Sequence, residues 1–234
     1  MPNPTAPVLR GISSMATRLV LADLVAAYLR QPGAPAVDIA SVGGVDAARR
    51  VAADEAFDLV VLASDAIDRL EAAGKALTGS KVDLVHSGVA VAVRAGAPVP
   101  DISTGSAVRD AVLSARTLSY STGPSGVALA NLFERWGVAG ALQGRIVQAP
   151  PGVPVGALVA RGEVELGFQQ LSELLHVEGI TLVGPLPGDI QITTTFSAAI
   201  CATSQQPEAT RSFIAFMASG QADDAKKRQG MDPA

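Results

Sequence analysis

Small hydroxyl and glycine residues of this chain gather where short apolar runs end and helical spacing begins. Ser13 and Ser14 follow VLRGI, Gly43 and Gly44 follow VDIASV, and Tyr120-Ser121-Thr122-Gly123-Pro124-Ser125-Gly126 precedes VALANLF. RIVQAPPGVPVGAL repeats the device more weakly, with Gly152 and Val153 at its turn. Each turn places backbone N–H groups and small hydroxyls at a helix start, where unpaired amides and the helix dipole both favour negative charge. The chemistry is the holding of one small anion by neutral donors. A single such turn is common in α/β proteins; the repetition is the signal.

Groups able to move a proton are few. His86 has the side chain best suited to proton transfer near neutrality, and Asp65 and Tyr120 are the other two candidates. Each has an ordinary structural reading beside it. Asp65 reads equally as a helix N-cap, His86 as a packed strand residue, and Ser13 or Ser14 as a cap. Gly43 and Gly44 read as suppliers of positive φ in a tight turn, and the 120–126 segment as a plain turn. His176 reads as a structural cation at a helix end, and Thr193, Thr194 and Thr195 as hinge or strand residues. Two distant histidines and the lone Cys201 make no zinc site. No Walker loop, G-x-G-x-x-G or G-x-S-x-G is present.

These turns need strands and helices to hold them. Apolar runs predict strands at 8–12, 37–42, 58–63, 117–121, 145–148, 164–168 and 180–183. Helical spacing predicts helices at 14–30, 44–54, 64–74, 105–115, 125–136, 153–161, 170–176, 207–218 and about 221–229. The alternation predicts parallel sheets covered by helices. Two long strand-like runs interrupt it: VDLVHSGVAVAVRAG (82–96), with a break expected at Ser87-Gly88, and IQITTTFSAAICATS (190–204). Read as crossovers, they divide the chain into lobe I (1–86 plus 194–234) and lobe II (87–193), with a cleft where strand ends meet helix starts.

Composition agrees with this class. The 234 residues are 48% hydrophobic but only 4% aromatic, so Ala, Val and Leu do the packing. A net charge of −4 with no basic run argues against nucleic acid as a partner. No stretch is long and apolar enough to cross a membrane. Cys201, in the apolar run FSAAICA, reads as a buried small hydrophobe. Met-Pro-Asn-Pro-Thr lacks a basic and an apolar leader region. A native Met1 would make the protein cytoplasmic, and a trimmed chain would make it periplasmic.

In order along the chain, GISSMA, SVGGVDAAR, VLASDAID, GPSGVAL, LGFQQLSEL and AKKRQGMDPA resemble the motifs of the molybdate-binding-type periplasmic solute-binding proteins. The resemblance implies the two-lobed type II periplasmic-binding-protein fold, an α/β fold with two extended crossover strands and a cleft between lobes. Carried over by position, the anion contacts fall on Ser13 or Ser14, the Gly43–Gly44 turn, Ser125, the Gly152–Val153 turn and Gln170. Ser121, Thr122 and Gly126 flank Ser125, and Gln169 flanks Gln170. The family usually has a tyrosine at the position of Gln170, and usually a secretory signal. An amide both donates and accepts, which suits a carboxylic acid better than a bare tetraoxyanion. Tyr120 would then supply the missing phenol.

Two functions follow as expectations. The first is binding of a small anion, molybdate or a small carboxylic acid, with an ABC-type membrane transporter as partner for an exported protein. The alternative comes from aconitate isomerases, which resemble this same family and move the double bond of a small tricarboxylic acid. His86, Asp65 or Tyr120 would then act as base. Neither reading calls for a cofactor or a metal.

Overall fold

The computed structural model describes residues 8–149 and 153–234. Gly152, one half of an expected anion-binding turn, lies outside the described residues. The chain begins with β1 (Val8–Ser14), α1 (Arg18–Tyr28), β2 (Ala36–Val42), α2 (Gly44–Ala52), β3 (Leu59–Ala63), α3 (Ser64–Ala72) and the long β4 (Val82–Arg94). It continues through α4 (Gly105–Ser114), β5 (Leu118–Tyr120), α5 (Pro124–Arg135), α6 (Val155–Ala160), β6 (Leu166–Gln170), α7 (Leu171–Leu174) and β7 (Ile180–Pro185). It closes with β8 (Thr193–Ile200), α8 (Pro207–Ala218), α9 (Asp223–Arg228) and β9 (Asp232–Pro233). Two compact units result: Met1–His86 with Thr195–Ala234, and Ser87–Thr194. The chain leaves the first unit within β4 and returns to it within β8.

In the first unit β2, β1 and β3 run parallel, and β8 lies antiparallel to β3. The sheet is therefore mixed, not all-parallel as the alternation predicts, because β8 arrives from a crossover strand and not from a helix. The run LVVLA is apolar throughout because both faces are covered. Leu59, Val61 and Ala63 pack with Leu21, Leu24 and Phe213 on one side. Val60 and Leu62 pack with Ala47, Val51 and Ile67 on the other. Cys201 is buried on that second side, as the apolar run around it suggests.

In the second unit β5 and β6 are parallel, and β4 pairs antiparallel with both β6 and β7. The sequence VAVAV in β4 sets up two unequal faces. Val89, Val91 and Val93 meet Leu129, Phe133 and Phe168, while Ala90 and Ala92 leave room for Leu174. A period of two places the large side chains against α4 and α5, and the small ones against α7.

Three expectations fail locally. β4 runs unbroken through Ser87 and Gly88. Gly88 is tolerated in the strand because the Gln191 side chain lies over it, 3.1 Å from where a Cβ would stand, with Gln191 Oε1 accepting from Val89 N at 2.9 Å. The predicted strand at 145–148 is reduced to a single bridge, Ile146 to Leu118; its partner among the described residues, β5, is three residues long. The helix expected from residue 14 starts as a 3-10 turn, Met15–Thr17, and becomes α-helical at Arg18.

Candidate functional site

The first unit assembles its hydroxyls at the carboxyl ends of β1 and β2. Ser13 stands opposite Ser41 in the parallel register, and their hydroxyls are 2.8 Å apart. Ser14 is 7% exposed, and among the described residues its hydroxyl has only a long contact, 3.5 Å, to Thr17 Oγ1. Neither serine caps a helix through its side chain, so the capping role read from sequence is replaced by hydroxyl pairing. Gly44 comes close to Ser14, whose Cβ would lie 3.6 Å from a Cβ at 44.

The glycines at 43 and 44 are not explained by backbone conformation. Gly43 has φ −56°, and neither glycine is among the described residues with positive φ. A Cβ would find open space at 43 and ordinary contact at 44. The positive-φ reading is therefore corrected: this chain could carry alanine at either position.

Among the described helices only α4 has a side-chain cap, and α1, α6, α7, α8 and α9 are uncapped like α2, α3 and α5. α2, α3 and α5 have Gly43, Ala63 and Gly123 at their N-caps, with no side-chain cap. α4 follows the loop after β4 and is capped by Thr104, whose hydroxyl accepts from Ala107 N at 3.1 Å. Uncapped first-turn amides keep their capacity to bind an anion. Asp65 is thus not the N-cap that its position suggests. Its carboxylate is exposed and holds Arg69 at 2.9 Å, one helical turn on.

In the second unit the 120–126 segment divides. Ser121 and Ser125 bring their hydroxyls within 3.0 Å, with Ser125 buried and Thr122 exposed. Gly126 is obligatory, because a Cβ there would fall 1.6 Å from the Ser121 carbonyl oxygen. That contact pins the turn to the first turn of α5. Tyr120 belongs to a different environment. Its ring packs edge-on against Phe133 at 6.0 Å and lines a cavity of about 290 Å³ with Phe133, Leu142 and Ile146. Burial pushes its phenol above the ordinary value, which makes it a poor base at neutral pH. Val153 is half-buried against Val155 and Leu158.

The two glutamines that end β6 serve opposite faces. Gln170 is buried, and the amide orientation that satisfies its neighbours has Nε2 donating to Ser87 Oγ at 2.8 Å, with Oε1 accepting from Thr194 Oγ1 at 2.8 Å. Its amide is thus engaged by β4 and β8, where the resemblance would assign it to ligand. His86, one residue before Ser87, bonds through Nδ1 to Thr195 Oγ1 at 3.0 Å and pairs with Asp232 across β9. Gln169 faces the other way. Its Oε1 accepts from Gly156 N at 3.3 Å, and its Nε2 donates to Glu173 Oε1 at 2.9 Å.

Glu173 went unnoticed in the sequence. It is half-buried in α7, and burial pushes its carboxyl up to about 7, against the lowering effect of the Gln169 hydrogen bond. A lone acid inside the apolar stretch LGFQQLSELL was the available signal. Among the described residues no group of three or more His, Cys, Asp or Glu could hold a metal ion.

The comparisons with known proteins bear on this arrangement. A family profile described as "Bacterial extracellular solute-binding protein" matches residues 9–232. The chain belongs to this family. Among its relatives, an aconitate isomerase of a Pseudomonas species is 42% identical over 185 residues, covering 79% of this chain and 70% of that protein. Among solved structures, the periplasmic molybdate-binding protein of Azotobacter vinelandii superposes with a TM-score of 0.79 at 21% identity, over 95% of this chain and 98% of that one. The sulfate-binding protein of Mycobacterium tuberculosis gives 0.79 at 18% identity, over 97% and 87%. At such identities these structures show the periplasmic-binding-protein fold alone. As a solute-binding family member, the chain carries no helix among its described residues long and apolar enough to cross a membrane.

Proposed function

We propose that this solute-binding family member is an isomerase that moves the double bond of a small unsaturated polycarboxylic acid of the aconitate type. The observation that carries the reading is the 42% identity to an aconitate isomerase across 79% of the chain, twice the identity to the molybdate-binding structure. Each unit offers its own donors for a carboxylate: Ser13, Ser14 and the Gly43–Gly44 amides in the first, and Ser121, Thr122, Ser125, Gly126 and Val153 in the second. Two glycines that the fold itself does not require support this assignment.

The chemistry suits such a site. Removal of a proton from the methylene beside the alkene leaves charge spread over three carbons and the adjoining carboxylate. Helix-start amides aimed at that carboxylate stabilise the charge as it develops. Returning the proton at the far carbon shifts the double bond. One C–H bond breaks and one forms, so no oxidant or reductant is consumed.

A second reading, a carrier for a tetraoxyanion that serves an ABC-type transporter, is favoured by the same neutral donor set. Proton NMR in D2O separates the two. With cis-aconitate, the isomerase reading expects the trans isomer to accumulate with solvent deuterium in its methylene. A thermal shift with molybdate or sulfate alone, and no deuterium in any acid, would establish the carrier instead.

A further inference from the structure

We propose that the cavity walled by Tyr120 and Phe133 is a binding site for a small amine that carries one aromatic ring. The inference is independent of the isomerase reading. The cavity lies wholly in the second unit, and none of Ser121, Thr122, Ser125 and Gly126 lines it. Its volume is about 290 Å³, against the ~150 Å³ of a cavity that holds a benzene ring. A ring with a short side chain fits that space.

The walls come from three parts of the chain. Ala130, Phe133 and Glu134 stand at i, i+3 and i+4 on α5, so they share one helix face. Helical side chains lean towards the N-terminus of their helix, which carries the Glu134 chain back over Ala130. Tyr120 ends β5 and sets its ring edge-on to Phe133, with centroids 6.0 Å apart and planes at 72°. Leu142, Gln143 and Ile146 complete the lining from the segment after α5. A guest ring meets aromatic rings and aliphatic carbon here, surroundings in which offset and edge-on packing is favourable.

The polar groups decide the charge of the guest. Among the described residues the polar side chains of the lining are those of Tyr120, Glu134 and Gln143, and no lysine, arginine or histidine lines it. Glu134 has no hydrogen-bond or ion-pair partner among the described residues. Arg145, two residues after Gln143, is committed elsewhere: its guanidinium donates to the carbonyls of Ala141, Val112, Leu113 and Ala115. Arg135 is exposed and lies about 100° around α5 from Glu134, off the cavity face. A carboxylate, an amide oxygen and two aromatic rings favour an ammonium group and disfavour a second carboxylate. The anion offered to the hydroxyl turns therefore has no counter-charge in this cavity, whereas an amine has one.

The test titrates the full chain at neutral pH with phenethylamine and with phenylacetate, one ring with opposite charges, and follows backbone amides by NMR. Phenethylamine is expected to bind with a Kd of about 1 mM, as suits a ligand of its size, and to move the amides of Ala130, Leu142 and Gln143. Phenylacetate is expected to bind about tenfold more weakly, the worth of one charge-assisted contact. Glu134→Gln, at an exposed position, is expected to bring the two ligands within about threefold of each other. Ala130→Leu, which fills the cavity, is expected to weaken phenethylamine by about tenfold or more. A wild type that does not bind phenethylamine, or shifts confined to amides outside the lining, would overturn the site. A preference for the amine that survives in Glu134→Gln would overturn the role of its carboxylate, and phenylacetate bound as tightly as phenethylamine would overturn the ligand class. Should Ala130→Leu not fold, the amide shifts of wild type and Glu134→Gln decide.

Discussion

Gln170 Oε1 and Thr194 Oγ1 lie 2.8 Å apart, with the same amide reaching Ser87 Oγ on its nitrogen side. One side chain at the end of β6 thereby ties together the two strands through which the chain passes between its units. Gln170→Leu strands two hydroxyls, a loss of about 1–3 kcal/mol. That lowers Tm by roughly 2–4 °C per kcal/mol in a chain of this size. Thermal melting measures it. An unchanged Tm with lost anion affinity would return Gln170 to the role of ligand contact.

Ser14 and Ser125 should behave in the opposite way. The Ser14 hydroxyl has only a 3.5 Å contact to Thr17, so Ser14→Ala costs little in folding. A lost hydrogen bond to an anion is worth about 1.5–3 kcal/mol, or roughly 10- to 150-fold in Kd. Ser125→Ala should weaken binding similarly, with a small further loss of stability from the Ser121 bond. Calorimetry with trans-aconitate gives the affinities, and equal affinity in wild type and Ser14→Ala would remove Ser14 from the site.

Glu173 makes stability depend on pH. Its carboxyl is raised from 4.5 to about 7, so the folded state binds more protons than the unfolded state between those values. Stability is fullest at the acid end of that window and falls as pH rises through it, by roughly 3 kcal/mol in total. Glu173→Gln does not titrate. Its Tm should exceed that of wild type at pH 8, with the difference shrinking towards pH 5. Urea midpoints across this range check the sign.

Gly126→Ala brings a methyl against the Ser121 carbonyl, 1.6 Å from the ideal Cβ position. The turn must move or the first turn of α5 must open. A cost above about 3 kcal/mol is expected, as for other severe overpacking of a buried site. Anion affinity should fall with it, because the 121–125 turn shifts. A variant with wild-type Tm and affinity would show the turn to be freer than its contacts imply.

Cys201 should be unreactive in the native protein. Burial and nearby Asp58 push its thiol up to about 12, so almost no thiolate exists at neutral pH. Iodoacetamide should label it only after denaturation, as read by intact mass. Rapid labelling of the folded chain would contradict the burial.

Local sequence determined much of this protein. Apolar runs ending in small polar turns identified the strand–turn–helix order, because a chain with hydrophobic period and turn chemistry in agreement has few other options. LVVLA announced a strand, and VDLVHSGVAVAVRAG announced a long extended run. The hydroxyl turns at Ser13-Ser14 and Ser121–Gly126 were visible for the same reason: they are written in consecutive residues. What only the tertiary structure decided depends on residues far apart. The antiparallel arrival of β8 set the sheet, and Ser87 and Thr194 claimed the amide of Gln170. Phe133 drew Tyr120 into a cavity, and the packing of α6 and α7 left Glu173 desolvated with one oxygen clamped. Hydrogen-bond partners and dielectric environment are properties of the packed chain, so a residue's chemistry changes with neighbours its local sequence does not name.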